Sequence, residues 1–249
     1  MARKAIGIDI GGTGIKGALV DTKQGELLSS RIKVETPAGG EPEEIASTVK
    51  DIVAQLTNRS DRPIGICFPA VVQNGVTRSA ANVSKRWIGL DAAKLFTQTL
   101  HTKIQILNDA DAAGVAETRY GAGKGQKGLV IMTTLGTGIG TALIHNGELI
   151  PNAELGHLEI DGLDYETKAS FAAKEREGLS FVQWADRLQR YYSELERLLT
   201  PNLFIVGGGV SKSHKEFLPL LKLKTPIVPA KLKNAAGIIG AAAVVTKEF

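Results

Sequence analysis

The chain is poor in the residues that staple, anchor or oxidise a protein. Among its 249 residues there is one cysteine, so no internal disulfide can form. That residue, Cys67, lies in the apolar run Ile64 to Phe68, where a buried, inert thiol is expected rather than a nucleophile. No apolar run approaches the roughly 20 residues that span a bilayer. Met1 to Lys4 leads directly into a strand pattern, so no signal peptide is expected. These absences predict a cytoplasmic protein with no membrane partner. Charge of one sign is also scarce: 30 Lys and Arg stand against 26 Asp and Glu. An excess of four does not mark a nucleic-acid binder, although it is compatible with a polyanionic ligand. Low-complexity tracts, charge blocks and flexible linkers are missing as well. The remainder, 43% hydrophobic and 22% charged, is an ordinary globular composition that supports one large domain or two small ones.

Glycine, by contrast, is plentiful, and two glycine-rich turns are related. Gly12-Thr13-Gly14-Ile15 is followed by Ala18-Leu19 and later by Gly25-Glu26-Leu27. Gly136-Thr137-Gly138-Ile139 is followed, after the same gap, by Ala142-Leu143, and then by Gly147-Glu148-Leu149 with two residues lost. Each turn follows a β-branched run, Ala5 to Ile10 or Leu129 to Thr134. A strand that enters such a turn and leaves as another strand bares several N–H groups on one side. Phosphate oxygens suit this nest, because no Cβ blocks them and the dipoles converge. Turn chemistry alone does not require the shared flanking residues, so the pair points to a duplicated chain.

The pattern Gly12-x-Gly14-x-x-Gly17 also matches a dinucleotide fingerprint, but that motif needs a helix after its glycines, and Ile15 to Val20 reads as a strand. Neither turn ends in the Gly-Lys-Ser/Thr of a P-loop. Elsewhere the periodicity predicts a helix over 41–57 with Ile45, Val49, Ile52, Val53 and Leu56 on one face, a buried strand at 63–68, and a helix capped by Asp91. A further strand ends at Asn108-Asp109 before a helix over 110–120. A long helix from about Ser180 carries Val182, Trp184, Leu188, Tyr191, Leu195 and Leu198 inward. A strand over 203–206 ends in Gly207-Gly208-Gly209, and 235–245 reads as a final helix whose glycines permit close packing.

Asp9 ends the first strand just before its nest, a place that suits Mg²⁺ held through water, or equally a turn cap. Lys16 would set a positive charge near the same turn. Asn108 and Asp109 stand at the carboxyl end of a strand, where open α/β sheets bind ligands. Both are also preferred helix caps, but one cap does not need two polar residues. Glu154 and His157, three apart, read as a pair for a polyhydroxylated ligand or as an ordinary surface pair; no neighbouring cysteine or histidine completes a zinc set.

Together these segments resemble the ROK family of sugar kinases and repressors, within the actin/hexokinase superfamily. DIGGTGIKG (9–17) is similar to the family's first phosphate loop and LGTGIGTAL (135–143) to its second. Gly207-Gly208-Gly209-Val210 resembles the segment that meets the nucleoside, Asn108-Asp109-Ala110 the catalytic segment, and Glu154-Leu155-Gly156-His157 the family's E-x-G-H sugar motif. The stretch FPAVVQNGVTRSAANVSKRWIGLD (68–91) is similar to its polyphosphate glucokinases and polyphosphate/ATP glucomannokinases.

The resemblance implies an α/β, two-domain, actin/hexokinase-like (ribonuclease H-like) duplicated fold with its active site in the interdomain cleft. The small α/β domain would comprise 1–108 plus a C-terminal helix at about 235–249, and the large one 109–234. It implies transfer of a phosphoryl group from polyphosphate or ATP, with Mg²⁺, to the 6-hydroxyl of glucose, with mannose as a further candidate acceptor. Asp109 would be the general base, and Asn82, Asn108, Asp109, Glu154 and His157 would contact the sugar. Glu166 resembles a further sugar-binding glutamate. Asp9, Gly11, Gly12, Thr13, Gly14, Lys16, Gly136, Thr137, Gly138, Gly207, Gly208 and Gly209 would meet phosphate or nucleotide. Lys85 and Arg86, beside Trp87, are candidates for a polyphosphate track. Many members carry a cysteine-rich zinc loop after the E-x-G-H motif; 159–170 holds no cysteine, so structural zinc is not expected. The repressors carry an N-terminal DNA-binding domain that this sequence lacks ahead of its first strand, so no nucleic-acid partner is expected. Monomer and homodimer both remain open, as do an ATP-only kinase for another hexose or an N-acetylated amino sugar, and a sugar-sensing regulator without catalysis.

Overall fold

The computed structural model describes residues 4–57 and 61–246. The chain divides into two compact units. One runs through Ala116 and resumes at Ala235; the other is Glu117–Asn234.

The first unit is built on a sheet of β1 (Lys4–Ile10), β2 (Ile15–Asp21), β3 (Glu26–Leu27), β4 (Ile32–Val34), β5 (Ile64–Phe68) and a later strand, β8. Its order is β3-β2-β1-β5-β8, with β4 also paired to β2. β1 and β2 form an antiparallel hairpin, whereas β1, β5 and β8 run parallel. α1 (Pro42–Leu56) starts with Pro42 at its first turn, and Ile45, Val49 and Ile52 are buried along one stripe. A small hairpin of β6 (Val72–Gln73) and β7 (Val76–Thr77) precedes α2 (Ala92–Leu100), which Asp91 caps by accepting the Lys94 N–H at 2.9 Å. β8 (Ile104–Asn108) leads without a break into α3 (Asp109–Tyr120). The division between the units falls inside α3, after Ala116, whereas the sequence reading placed it near Asp109.

The second unit repeats the plan. β9 (Leu129–Leu135) and β10 (Ile139–His145) form a hairpin, β11 (Glu148–Ile150) extends it, and the sheet order is β11-β10-β9-β14-β15. Between lie a two-stranded ribbon, β12 (Glu159–Ile160) with β13 (Leu163–Asp164), and helices α4 (Glu166–Ala169), α5 (Phe171–Arg176) and α6 (Phe181–Leu199). Then come β14 (Leu203–Gly207), parallel to β9, a short α7 (His214–Phe217) and β15 (Ile227–Pro229). α6 begins with a full capping box between Ser180 and Gln183. Trp184, Leu188, Tyr191 and Leu195 are buried on its inner face, but Val182 and Leu198 are 61% and 49% exposed. Val182 is two residues from Trp184 and so lies nearly opposite it on the helix. Leu199, four residues past Leu195, packs on the core in place of Leu198.

The last helix, α8 (Ala236–Val245), belongs to the first unit and explains why its strands alternate isoleucine with glycine. Ile6, Ile8, Ile64, Ile66 and Phe68 join the core that contains α1 and α2. On the opposite face α8 approaches so closely that a Cβ on Gly7 would overlap the Ile238 carbonyl, and one on Gly65 the Ala241 carbonyl. Asp9 and Cys67 lie on this same face, next to Gly237. No helix among the described residues is long and apolar enough to cross a membrane.

Candidate active site

In the first unit the site candidates gather where the parallel strands end. The register pairs Asp9 with Cys67, Cys67 with Leu107 and Phe68 with Asn108, so three carboxyl ends lie abreast. Asp9 also faces Lys16 across the hairpin, and the Lys16 ammonium donates to Asp9 Oδ2 at 3.0 Å. The Cys67 thiol donates to Asp9 Oδ1 at 3.6 Å. Burial pushes that thiol well above its ordinary pKa, and the carboxylates of Asp9 and Asp109 push it further. Cys67 is therefore a neutral thiol that senses both acids.

Asn108 and Asp109 divide their tasks. Asn108 Oδ1 accepts the N–H groups of Ala110 at 2.8 Å and Asp111 at 3.1 Å, and its amide donates to the Ala70 carbonyl at 3.1 Å. The cap of α3 is thus Asn108, and backbone groups already take up its oxygen. Asp109, half-buried, shares the Ala110 N–H at 2.8 Å.

The first turn is closed by the Gly11 N–H on the Gly14 carbonyl at 3.0 Å and braced by the Thr36 hydroxyl on the Gly11 carbonyl at 2.5 Å. Asn82 lies against one end of it: a Cβ on Gly12 would come 2.8 Å from Asn82 Cβ. Both residues line a pocket of ≈ 330 Å³ whose other walls include Thr36 to Gly40 and Val83. Thr13 is exposed at the tip.

Lys85 and Arg86 do not form an open cationic track. Arg86 makes a two-pronged pair with Glu43 at 2.7 and 3.0 Å and a further contact with Glu41 at 2.9 Å. Lys85 folds its ammonium onto the Ala80 carbonyl at 2.7 Å. The carboxylates that neutralise Arg86 come from the start of α1, more than forty residues earlier, which local sequence does not reveal.

In the second unit the glycine turn, Glu166 and Gly156 of the E-x-G-H segment meet at one backbone residue, Ile139. The Gly136–Gly138 turn is closed by the Gly136 N–H on the Gly138 carbonyl at 3.0 Å. The Ile139 N–H then donates to Glu166 Oε2 at 2.6 Å, while a Cβ on Gly156 of the E-x-G-H segment would overlap the Ile139 carbonyl. The Thr141 hydroxyl ties the same strand to that segment, accepting the Leu155 N–H at 3.0 Å and donating to the Ala153 carbonyl. Gly208, at φ 84°, packs on Leu135, which brings Gly207–Gly209 beside the second turn. Glu154 and His157 are exposed, and they do not pair with each other through their side chains. His157 Nδ1 pairs with Asp164 Oδ2 at 2.9 Å, a partner the sequence reading missed because it lies across the β12–β13 ribbon. That hydrogen bond, with smaller help from Glu166, Asp164 and Glu154 charges, raises the His157 pKa. The Tyr192 and Thr133 hydroxyls meet at 2.6 Å, fully buried.

No group of three or more His, Cys, Asp or Glu residues among the described residues is arranged to hold a metal ion. A cation that keeps its waters and binds mainly substrate phosphates needs only one or two carboxylates, and Asp9, oriented through both oxygens, fits that role.

Residues 5–176 match the ROK family. The chain is 48% identical to the polyphosphate glucokinase of Mycobacterium tuberculosis (strain CDC 1551 / Oshkosh), over 96% of this chain and 90% of the relative. It is 46% identical to that of Mycobacterium leprae (strain TN), over 96% of this chain and 74% of the relative. Among solved structures, the inorganic polyphosphate/ATP-glucomannokinase of Arthrobacter sp. strain KM is 55% identical and superposes with a TM-score of 0.92, covering 97% of this chain and 98% of that one. The duplicated sheets, the paired glycine turns and this breadth of similarity have one explanation: the chain belongs to the ROK family of sugar kinases and their relatives.

Proposed function

We propose that the chain is a cytoplasmic phosphotransferase that moves the terminal phosphoryl group of inorganic polyphosphate or ATP to the 6-hydroxyl of glucose, with mannose as a second acceptor. The names and the 48% and 55% identities of its relatives support this reading. The observation that carries it is the placing of two carboxylates, Asp9 and Asp109, within electrostatic reach of the buried Cys67 thiol at the ends of the parallel strands.

A sugar hydroxyl attacks phosphorus poorly until its proton has somewhere to go. Asp109 is the base that accepts this proton as the O6–phosphorus bond forms and the donor's bridging bond breaks. Asn82 sits beside the first turn and orients the acceptor there; Glu154, His157 and Glu166 hold the other sugar hydroxyls, with Asn108 fixing the backbone around the base. Phosphoryl transfer leaves a protein little covalent work, so positioning and charge dominate. The N–H groups of the Gly11–Gly14 and Gly136–Gly138 turns stabilise the donor's oxygens, and Gly207–Gly209 accommodates the nucleoside when ATP is the donor. Asp9 would hold Mg²⁺ through water, and the cation would there offset the donor's negative charge.

A coupled glucose-6-phosphate assay, run with polyphosphate and ATP separately, tests it, with mannose in place of glucose followed by direct detection of the hexose phosphate formed. Product is expected with either donor. Turnover with ATP alone would remove polyphosphate from the reading, and no turnover with any sugar would leave a sensor instead of an enzyme.

A further inference from the structure

We infer that Lys33 receives the untransferred part of the polyphosphate chain and so sets donor preference; the inference rests on the kinase reading above. The first turn has two unlike ends. At the Gly12 end stands Asn82, the proposed acceptor contact. At the other end the Lys33 side chain drapes over Gly14, so that a Cβ there would lie 3.3 Å from Lys33 Cε. A terminal phosphate seated on the turn would therefore have the sugar on one side and Lys33 on the other. The rest of a linear donor leaves on the Lys33 side.

Charge pairing singles out the same residue. The β2–β4 register sets Lys33 directly opposite Lys16, on the face that carries Asp9. Like charges opposed across a ladder repel, and a bound anion between them relieves the cost. Lys16 already has Asp9 as its partner. Lys33 is exposed, and no hydrogen bond or ion pair holds its ammonium among the described residues. Near Trp87, Arg86 is neutralised by Glu41 and Glu43, and the Lys85 ammonium, still charged, is tied to the Ala80 carbonyl.

The two donors differ in how much they need this charge. ATP has a base and ribose for the Gly207–Gly209 segment to recognise. Polyphosphate has neither, and each phosphate beyond the reacting one must find a cation or stay in water. A cation beside the first turn therefore favours polyphosphate over ATP.

The test compares the wild-type chain, Lys33→Ala and Lys33→Arg, with long-chain polyphosphate and with ATP, across a series of KCl concentrations. In Lys33→Ala the ratio of kcat/KM with polyphosphate to that with ATP is expected to fall about tenfold, the size of one charge-assisted contact. The rise of polyphosphate KM with salt should also become shallower, by roughly one phosphate's share, and Lys33→Arg should restore both. An unchanged ratio, with the wild type using both donors, overturns the role of Lys33 and leaves the kinase reading standing. A wild-type chain that ignores polyphosphate overturns the donor assignment itself.

Discussion

The two glycine turns share a backbone plan and carry opposite charges. In each hairpin the strands close with an apolar pair, Ile10 with Ile15 or Leu135 with Ile139. One step back stands Asp9 with Lys16 in the first, but Thr134 with Gly140 in the second. At the last glycine of the turn the contrast repeats. Gly14 lies under the amine-bearing chain of Lys33, whereas Gly138 lies against the carboxylate of Glu166, which also takes the Ile139 N–H. The two cradles match in backbone, but only the first has lysines beside it, and the second has the Glu166 carboxylate instead. The first turn thus stands beside two lysines and an acid. The second is braced by an anion of its own and is tied through Ile139 to the E-x-G-H segment.

The largest effect that would break this comparison is at Asp109. If acid–base work belongs to the first unit alone, Asp109→Asn should lower kcat by about 10²–10⁴-fold, the usual share of a positioned base. Asparagine keeps an oxygen that can accept the Ala110 N–H, so the start of α3 and glucose binding should survive. Retained turnover in a variant that still binds glucose would move the base elsewhere.

Much of this contrast was legible in the sequence, and the remainder was hidden for a physical reason. The hairpins, the α1 stripe, the Asp91 cap and the start of the long helix near Ser180 are local patterns, and each forms where its spacing predicts. Side-chain partners set by folding are not local. Arg86 meets Glu43, Glu166 meets Ile139, and Lys33 meets Gly14 only after the chain has crossed the unit. Asn108 and Asp109 fall between these cases. Their position at a strand end was readable, but only the hydrogen bonds assign the cap to Asn108. Val182 and Leu198 show the limit of periodicity itself, since an apolar residue near a helix end need not reach the core.

A smaller perturbation sharpens the comparison by asking what approaches each turn. A Cβ on Gly136 would meet nothing within 4 Å, whereas one on Gly12 would strike Asn82. Gly136→Ala should therefore leave stability within about 0.5 kcal/mol of the parent, as an unhindered substitution does. Any rise in donor KM then reports a phosphate that needs the vacant space, and we expect about tenfold, one lost close contact. Gly12→Ala should instead weaken glucose binding by displacing Asn82. If Gly136→Ala binds donor as the parent does, measured by initial rates over a donor series, the second turn is structural only.

The smallest effect lies at His157, where the two units differ in a way pH can read. The first unit holds its acids beside a neutral thiol; the second holds a histidine whose proton is retained by Asp164. Because the folded pKa of His157 is raised above the ordinary 6.5, its pairing stabilises the fold below that ordinary value. The contribution fades as pH climbs through the raised value, where both states become neutral. The side chain is 54% exposed, so water screens the pair and the stabilisation should be about 0.5 kcal/mol or less. Asp164→Asn should bring the His157 titration, followed by ring-proton NMR, back toward its ordinary position. It should also shrink the stability gap between mildly acidic and mildly alkaline solution. If the orientation that Asp164 imposes matters for sugar, KM for glucose should rise while kcat changes little, because the ring would still be present but free to turn. An unmoved titration would mean that the neighbouring carboxylates Glu154 and Glu166, rather than the hydrogen bond, hold the proton on the ring.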